Sequence, residues 1–264
     1  MSKKHNELVQ KQFTKTREAF SVYVVRDTPE VLEEKIRFMR PERGERTLDV
    51  ACGPGTLALA VAPQVRFACG GDLTFAMLRQ ALEFQRERGI ANAAFACCDA
   101  DHLPYPDGTF DLVTCQCAFH HMQKPMTALI EMARVMKPEG RAVIIDALAP
   151  ESDAKFELHN RIERLRDPSH AESLRLTTFL RMFDESGLEI AREALRRRER
   201  SFNRWMLRAG VNPGDRRYRE TRELMEQSVK GDAAGFSPRV EGDDITIAHT
   251  EGMFLLHRKP SSAP

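Results

Sequence analysis

Between residues 46 and 148 the chain repeats one pattern: a short, nearly unbroken apolar run, then a stretch with apolar residues at helical spacing. The first run, 46–51, closes on Cys52-Gly53-Pro54-Gly55 and leads into a helix over 56–60. A second strand is read over 65–71. Thr74 is then placed to cap a helix carrying Met77, Leu78, Ala81, Leu82 and Phe84 on one stripe, stopped by Gly89. Residues 93–98 and 110–117 read as the third and fourth strands. Pro125 opens a helix with Leu129, Met132, Ala133 and Met136 in register, ended before Pro138 and Gly140. The fifth strand spans 141–146. Strands separated by helices imply right-handed crossovers, hence a parallel sheet covered on both faces.

Beyond residue 150 the alternation weakens. Helices are expected near 152–166, 177–186 and 202–230, with strands over 188–195 and 253–257. A length of 264 residues suits one large domain, or a core with an added cap. Forty Lys and Arg against 39 Asp and Glu leave a net charge of +1, without the basic surplus that phosphate-backbone binding needs, so no nucleic acid is expected. The local cluster Arg196-Arg197-Arg198-Glu199-Arg200 is read as a solvated strand end. No apolar run approaches the roughly 20 residues of a membrane span, and the start is charged and amphipathic, so a cytoplasmic protein is expected. The six cysteines make no C-x-x-C pair and read as reduced and structural.

Three strand ends carry the chemistry. After the first strand, Asp49 precedes the turn containing Gly53 and Gly55, where backbone amides can approach a ligand and a helix N-terminus favours an anion. A plain strand-to-helix turn looks the same. Asp72, 19 residues after Gly53, stands where an acidic side chain takes both hydroxyls of a ribose; a lone Asp there is otherwise a helix cap. Asp99, after the third strand, is an acceptor suited to an adenine amino group, or simply a turn residue. Together they describe one crevice along the carboxyl edge of an open sheet.

Residues 99–113 and 132–141 resemble the corresponding stretches of class I S-adenosylmethionine methyltransferases, and the resemblance spans about 44–148. It is most similar to the branch containing the ubiquinone and menaquinone biosynthesis enzymes. The resemblance implies an α/β fold: a Rossmann-like doubly wound sheet, mostly parallel with an antiparallel C-terminal strand, plus a helical cap. The implied division is a helical lid over 1–40, a donor-binding core over 41–150, a cap insertion over 151–186, and the last core strands over 187–264 with a second cap segment at about 200–245. The implied co-substrate is S-adenosyl-L-methionine. Asp49, Gly53 and Gly55 match its methionine-binding loop, Asp72 the ribose acid, Leu73 the adenine's neighbour, Asp99 and Ala100 the adenine pair, and Gln116 a pocket-lining residue. A third glycine of that loop is lacking.

On the acceptor side, His120 or His121 is a candidate general base. Adjacent residues of a strand point to opposite faces, so one of the two is expected to serve. Without carboxylate or cysteine partners at ligand spacing, the pair predicts no metal. Asp167 and His170 are candidate substrate contacts, with helix-stop polarity as the alternative, and Tyr23 is a candidate contact from the amphipathic start. The expected activity is methyl transfer to a small organic acceptor, quinone-like or another metabolite, with the oligomeric state open. The alternatives are a non-catalytic protein binding the donor or its product, and an NAD(P)-dependent oxidoreductase, since Gly53-x-Gly55-x-x-Ala58 fits that fingerprint. Asp49 before the turn and the lack of a second nucleotide-binding half disfavour the latter.

Overall fold

The five apolar runs form β1 (Arg46–Val50), β2 (Phe67–Asp72), β3 (Ala93–Cys97), β4 (Phe110–Gln116) and β5 (Met136–Leu148) in the computed structural model. That structure describes residues 3–24 and 29–260, the side chains of 19–24 excepted. The five strands are parallel and ordered β3-β2-β1-β4-β5. Three further strands, β6 (Leu188–Ser201), β7 (Arg239–Glu241) and β8 (Asp244–Arg258), complete the sheet. β8 lies antiparallel against β5, with β6 beyond it and β7 also on β8. The mostly parallel sheet with an antiparallel C-terminal strand is therefore present. From β1 the chain winds outward to β3, then returns to β4 on the other side. This reversal leaves a crevice at the carboxyl ends of β1 and β4.

Burial on both faces explains the unbroken apolar runs. Leu48, Val50, Val113 and Ile144 pack on one side beneath α5 (Pro125–Val135) and α7 (Leu176–Glu185). Leu112, Val143 and Ile145 pack on the other, with Phe38 and Met39 of α2 (Pro29–Met39) and Leu57 and Leu59 of α3 (Thr56–Val61). A third cluster joins Ile162 of α6 (Asp153–Arg166), Trp205 of α8 (Phe202–Arg208), Met225 of α9 (Arg216–Ser228) and Ile247 of β8. The remaining helices are α1 (Lys3–Val24), over the strand tips, and α4 (Phe75–Glu87).

Several local expectations are corrected. The helix read over 202–230 is two helices, because Gly210 turns the chain at φ +69° and Pro213 follows. Thr74 holds the N-cap position of α4, but its side chain makes no capping bond; its amide donates to Asp72 instead. β6 runs on through the arginine cluster to Ser201, where a solvated strand end was expected. Arg197 and Glu199 are exposed, whereas the period of two turns Arg198 and Arg200 inward. Arg198 reaches Glu34 at 2.8 Å and Glu251 at 3.0 Å. Glu251 is also 3.4 Å from Lys35, itself 1% exposed.

Gly55 serves the packing. It sits at φ +74°, and a Cβ there would meet the Phe95 ring at 2.8 Å and Ala81 at 3.0 Å. Gly55→Ala combines overpacking with a left-handed backbone, an expected loss of about 2 kcal/mol of stability. Urea unfolding measures it; an unchanged midpoint refutes the packing role.

Candidate active site

The crevice at the strand tips is a cleft of about 990 Å³, part of it open to solvent, lined by Asp49, Gly53, Asp72, Leu73, Ala100 and Gln116 among others. Its floor is built from unusual backbone. Ala51 (φ +55°) and Cys117 (φ +52°), just past the ends of β1 and β4, both line it in the left-handed region. Such conformations cost about 1–3 kcal/mol each and persist where the surroundings enforce them, commonly at ligand sites.

Asp49 is 4% exposed, and the β1–β4 register sets it opposite Thr114, whose hydroxyl donates to its carboxylate at 2.8 Å. Burial pushes its pKa up to about 7; the Thr114 bond opposes this, and the nearby Asp72 charge adds to it. A carboxyl so poised ionises readily when a cation arrives beside it. Asp72 accepts from the Gly53 amide at 2.8 Å on one oxygen and from the Thr74 amide at 2.7 Å on the other. Burial raises its pKa, the two amides lower it, and the rise prevails. Each oxygen keeps a further lone pair, so two hydroxyls can still be received. The Gln116 Oε1 and Thr56 Oγ1 atoms, on residues that line the cleft, are buried without a hydrogen-bond partner. Orphaned polar atoms of this kind fit a polar ligand that supplies the missing bonds.

Two expected members stand apart. Gly55 does not line the cleft. Neither does Asp99, although its neighbours Cys98 and Ala100 do. The Asp99 carboxylate accepts from Asn6 Nδ2 at 2.7 Å and from the Asp101 amide at 3.0 Å. The first of these comes from α1, which also donates from Gln10 to the Leu73 carbonyl (3.0 Å) and from Gln12 to the Ala209 carbonyl (3.0 Å).

Past Phe13, Cys117, His121 and Arg208, which line both spaces, the cleft adjoins a second chamber. His120 and His121 lie in the 3₁₀ turn Phe119–His121. The alternation expected of a strand does not apply there: both rings line the chamber, centroids 4.4 Å apart. His120 Nδ1 is 2.6 Å from Asp146, a carboxylate near the end of β5 that is 1% exposed and also receives the Phe119 amide at 2.8 Å. An Nδ1–H donated to that carboxylate leaves Nε2 as the basic lone pair. Burial works against the charged ring, but Asp146 outweighs it and the His120 pKa is raised. His121 is different. Burial and the His120 charge depress it to about 4, so it is neutral at pH 7, with Nδ1 3.0 Å from the Ser169 carbonyl.

Asp167 and His170 also line the chamber. Asp167 ends α6 and accepts from the Ser169 amide (2.9 Å) and hydroxyl (2.6 Å), so helix-stop chemistry and chamber lining coincide. His170 is bound to Asn160 at 3.1 Å and stacks on His120 at 5.4 Å. The Tyr23 side chain lies outside the described residues. Among the described side chains of α1, Phe13 meets the site, edge-on to His121 at 5.0 Å. Sequence reasoning gave Asp146 and Arg200 no place beside these residues. An acidic residue ending a buried apolar strand was the available sign for Asp146. No group of His, Cys, Asp and Glu suited to a metal occurs among the described residues, and no helix among them is long and apolar enough to cross a membrane.

Residues 48–144 match a family model described as a methyltransferase domain. An uncharacterized methyltransferase of Bacillus subtilis (strain 168), YcgJ, is 37% identical over 171 residues, 65% of this chain and 67% of its own. The crystal structure of YcgJ superposes with a TM-score of 0.80 at 28% identity, covering 87% of this chain and 98% of that one. A candidate methyltransferase from Bacillus halodurans C-125 gives 0.81 at 28% identity, over 88% and 100%. Demethylmenaquinone methyltransferase of Geobacillus sp. (strain WCH70) is 33% identical over 121 residues, 45% of this chain and 52% of its own, so the chain spans about half that relative's length. With a doubly wound sheet, a polar cleft at its switch point and these likenesses, the chain belongs to the S-adenosylmethionine-dependent methyltransferase family.

Proposed function

We propose that the protein is a cytoplasmic enzyme that moves a methyl group from S-adenosyl-L-methionine to a small organic acceptor, the donor in the first cleft and the acceptor in the adjoining chamber. The observation that carries this reading is the joining of two differently built spaces: one lined by Asp49, Asp72 and the orphaned Gln116 carbonyl, the other by His120, whose ring is held by Asp146. When bound, the donor supplies an electrophilic methyl on a sulfonium. In this reading the Asp49 carboxylate receives the donor's ammonium and Asp72 its ribose hydroxyls. Leu73 and Ala100 flank the adenine, and Gln116 makes a polar contact. Asp99 receives the adenine amino group once Asn6 yields it. The Gly53 amide is committed to Asp72, so its part is to shape that carboxylate. α1 is the lid, with Phe13 closing the passage. His120 Nε2 takes the acceptor's proton while Asp146 holds the ring, and neutral His121 packs the wall between donor and acceptor. Asp167 and His170 hold the turn that forms the chamber's far side.

Burial of the reacting atoms and their alignment lowers the barrier by up to about 7–11 kcal/mol in favourable cases. A quinone-like acceptor and a metabolite of another class both fit that outline.

Titration calorimetry tests the donor assignment. S-adenosylhomocysteine should bind saturably and NADH should not. Below pH 7 Asp49 takes up a proton and cannot pair with an ammonium, so affinity should rise with pH, by up to about tenfold per unit, and level off above 7. Asp49→Asn should flatten the profile. NADH binding in place of S-adenosylhomocysteine removes the reading.

A further inference from the structure

The chamber beside the donor cleft is crowded with charge, and its carboxylates are already satisfied. Glu163, 5% exposed, meets His249 Nε2 at 3.2 Å and Arg166 at 3.2 Å. Glu251 is held by Lys35 and Arg198. Asp167 is taken by Ser169, and Asp146 by His120 and the Phe119 and Ala147 amides. Arg166 also has its partners: Glu163, the Trp205 carbonyl at 3.0 Å and the Trp205 ring at 4.6 Å. The balance is broken at Arg200. Its residue lines the chamber, opposite Ile247 in the β6–β8 pairing, yet its guanidinium makes no hydrogen bond or ion pair among the described residues. Burial acts against its charge and Arg166 adds to this; Cys117, Glu163 and Glu251 favour the charge from a distance, without a bond to it, and do not make up the loss. A guanidinium cannot shed its proton at any ordinary pH, so an unpaired one half-buried in this chamber carries a cost that an anion offsets, best through a planar, two-pronged contact. A second vacancy in the bonding points the same way. His249, depressed to about 3 by burial and by Arg200, is neutral; with Nε2 donating to Glu163, its buried Nδ1 is an acceptor with no partner.

We propose that the methyl acceptor is a small organic carboxylate, its anionic group held by Arg200. The proposal rests on the chamber being the acceptor site. It narrows the acceptor from any small molecule to one with a carboxylate at the end remote from the donor cleft, and with a hydrogen-bond donor within reach of His249. An uncharged quinone leaves the Arg200 charge unmet.

The protein's single tryptophan, Trp205, lines this chamber and reports on its occupation by fluorescence. With S-adenosylhomocysteine present, a panel of benzoate, 4-hydroxybenzoate, pyruvate and succinate is titrated beside the matching amides. At least one carboxylate should perturb Trp205 at a concentration tenfold or more below its amide. Arg200→Gln should weaken that carboxylate by tenfold or more and leave the amide as it was, the loss expected for a charged hydrogen-bonded pair. Arg200→Lys, which keeps the charge without the fork, should lose about threefold and stands in if the glutamine variant does not fold. Equal responses to carboxylates and amides, no response to any carboxylate, or an unchanged affinity in both variants overturns the proposal. Calorimetry with S-adenosylhomocysteine is run on the same samples: binding there with a silent Trp205 rejects the carboxylate acceptor alone, whereas no binding rejects the donor assignment beneath it.

Discussion

Asp72→Ala is expected to weaken S-adenosylhomocysteine binding by at least about 100-fold. Two hydroxyl hydrogen bonds to a half-buried carboxylate contribute on the order of 1.5–3 kcal/mol each. The same substitution strips the Gly53 and Thr74 amides of their acceptor, so the turn after β1 and the start of α4 lose their shared anchor. The carboxylate therefore acts twice, once on the ligand and once on the loop that surrounds it. Asp72→Asn separates the two parts: it keeps an acceptor for one amide and loses the charge, and its affinity should fall between those of the wild type and the alanine variant. Calorimetry gives the affinities, and thermal unfolding verifies that each variant is folded. An alanine variant within threefold of the wild type would falsify the ribose role.

A drop in turnover of about 10²–10⁴-fold is expected for His120→Ala, with donor affinity unchanged, because proton removal is the part of the barrier that the imidazole lowers. Asp146→Asn should lose a comparable amount while leaving the ring in place. An amide cannot compensate the imidazolium charge, and it no longer enforces the tautomer that leaves Nε2 free. Release of S-adenosylhomocysteine measures turnover whatever the acceptor. The sign of the pH effect is fixed by the geometry. With His120 as the proposed base the neutral ring is the active form, so activity should rise with pH through the His120 pKa, which Asp146 holds above the usual 6.5. Removing the carboxylate moves that limb to lower pH, and NMR titration of the ring should follow it. A limb that stays put, or a His120→Ala variant within threefold of the wild type, would assign the pair to packing.

The strands of the core were readable because their cause is local. Leu112 and Val113, or Val143, Ile144 and Ile145, are apolar at successive positions since helices cover both faces, and a run of five or six residues suffices to show it. That Asp49, Asp72 and Gln116 line one cleft was readable for a related reason. Each sits at a strand tip, and the rule that ligands gather at those tips depends on connection order, which the alternation of patterns reveals. The same local reasoning gives no sign that Gly55 and Asp99 stand back from the cleft lining. A glycine demanded by Phe95, 40 positions on, has the appearance of one demanded by a ligand, and Asp99 is met by Asn6 from a helix 93 positions earlier.

The chamber was not readable. His120 and Asp146 are 26 positions apart and belong to different elements, so nothing in either segment announces the 2.6 Å contact that raises the histidine. Arg200 looks along the chain like one of four solvated arginines. Its half-buried place comes from β6 continuing six residues past its expected end alongside β8, with residues of α6 and α8 lining the same chamber. Periodicity along the chain dictates which residues turn inward, and so it settles sheet, helices and strand tips. Which charge then finds a partner depends on what returns to the same place from far along the chain, a matter of packing that no short window of residues contains.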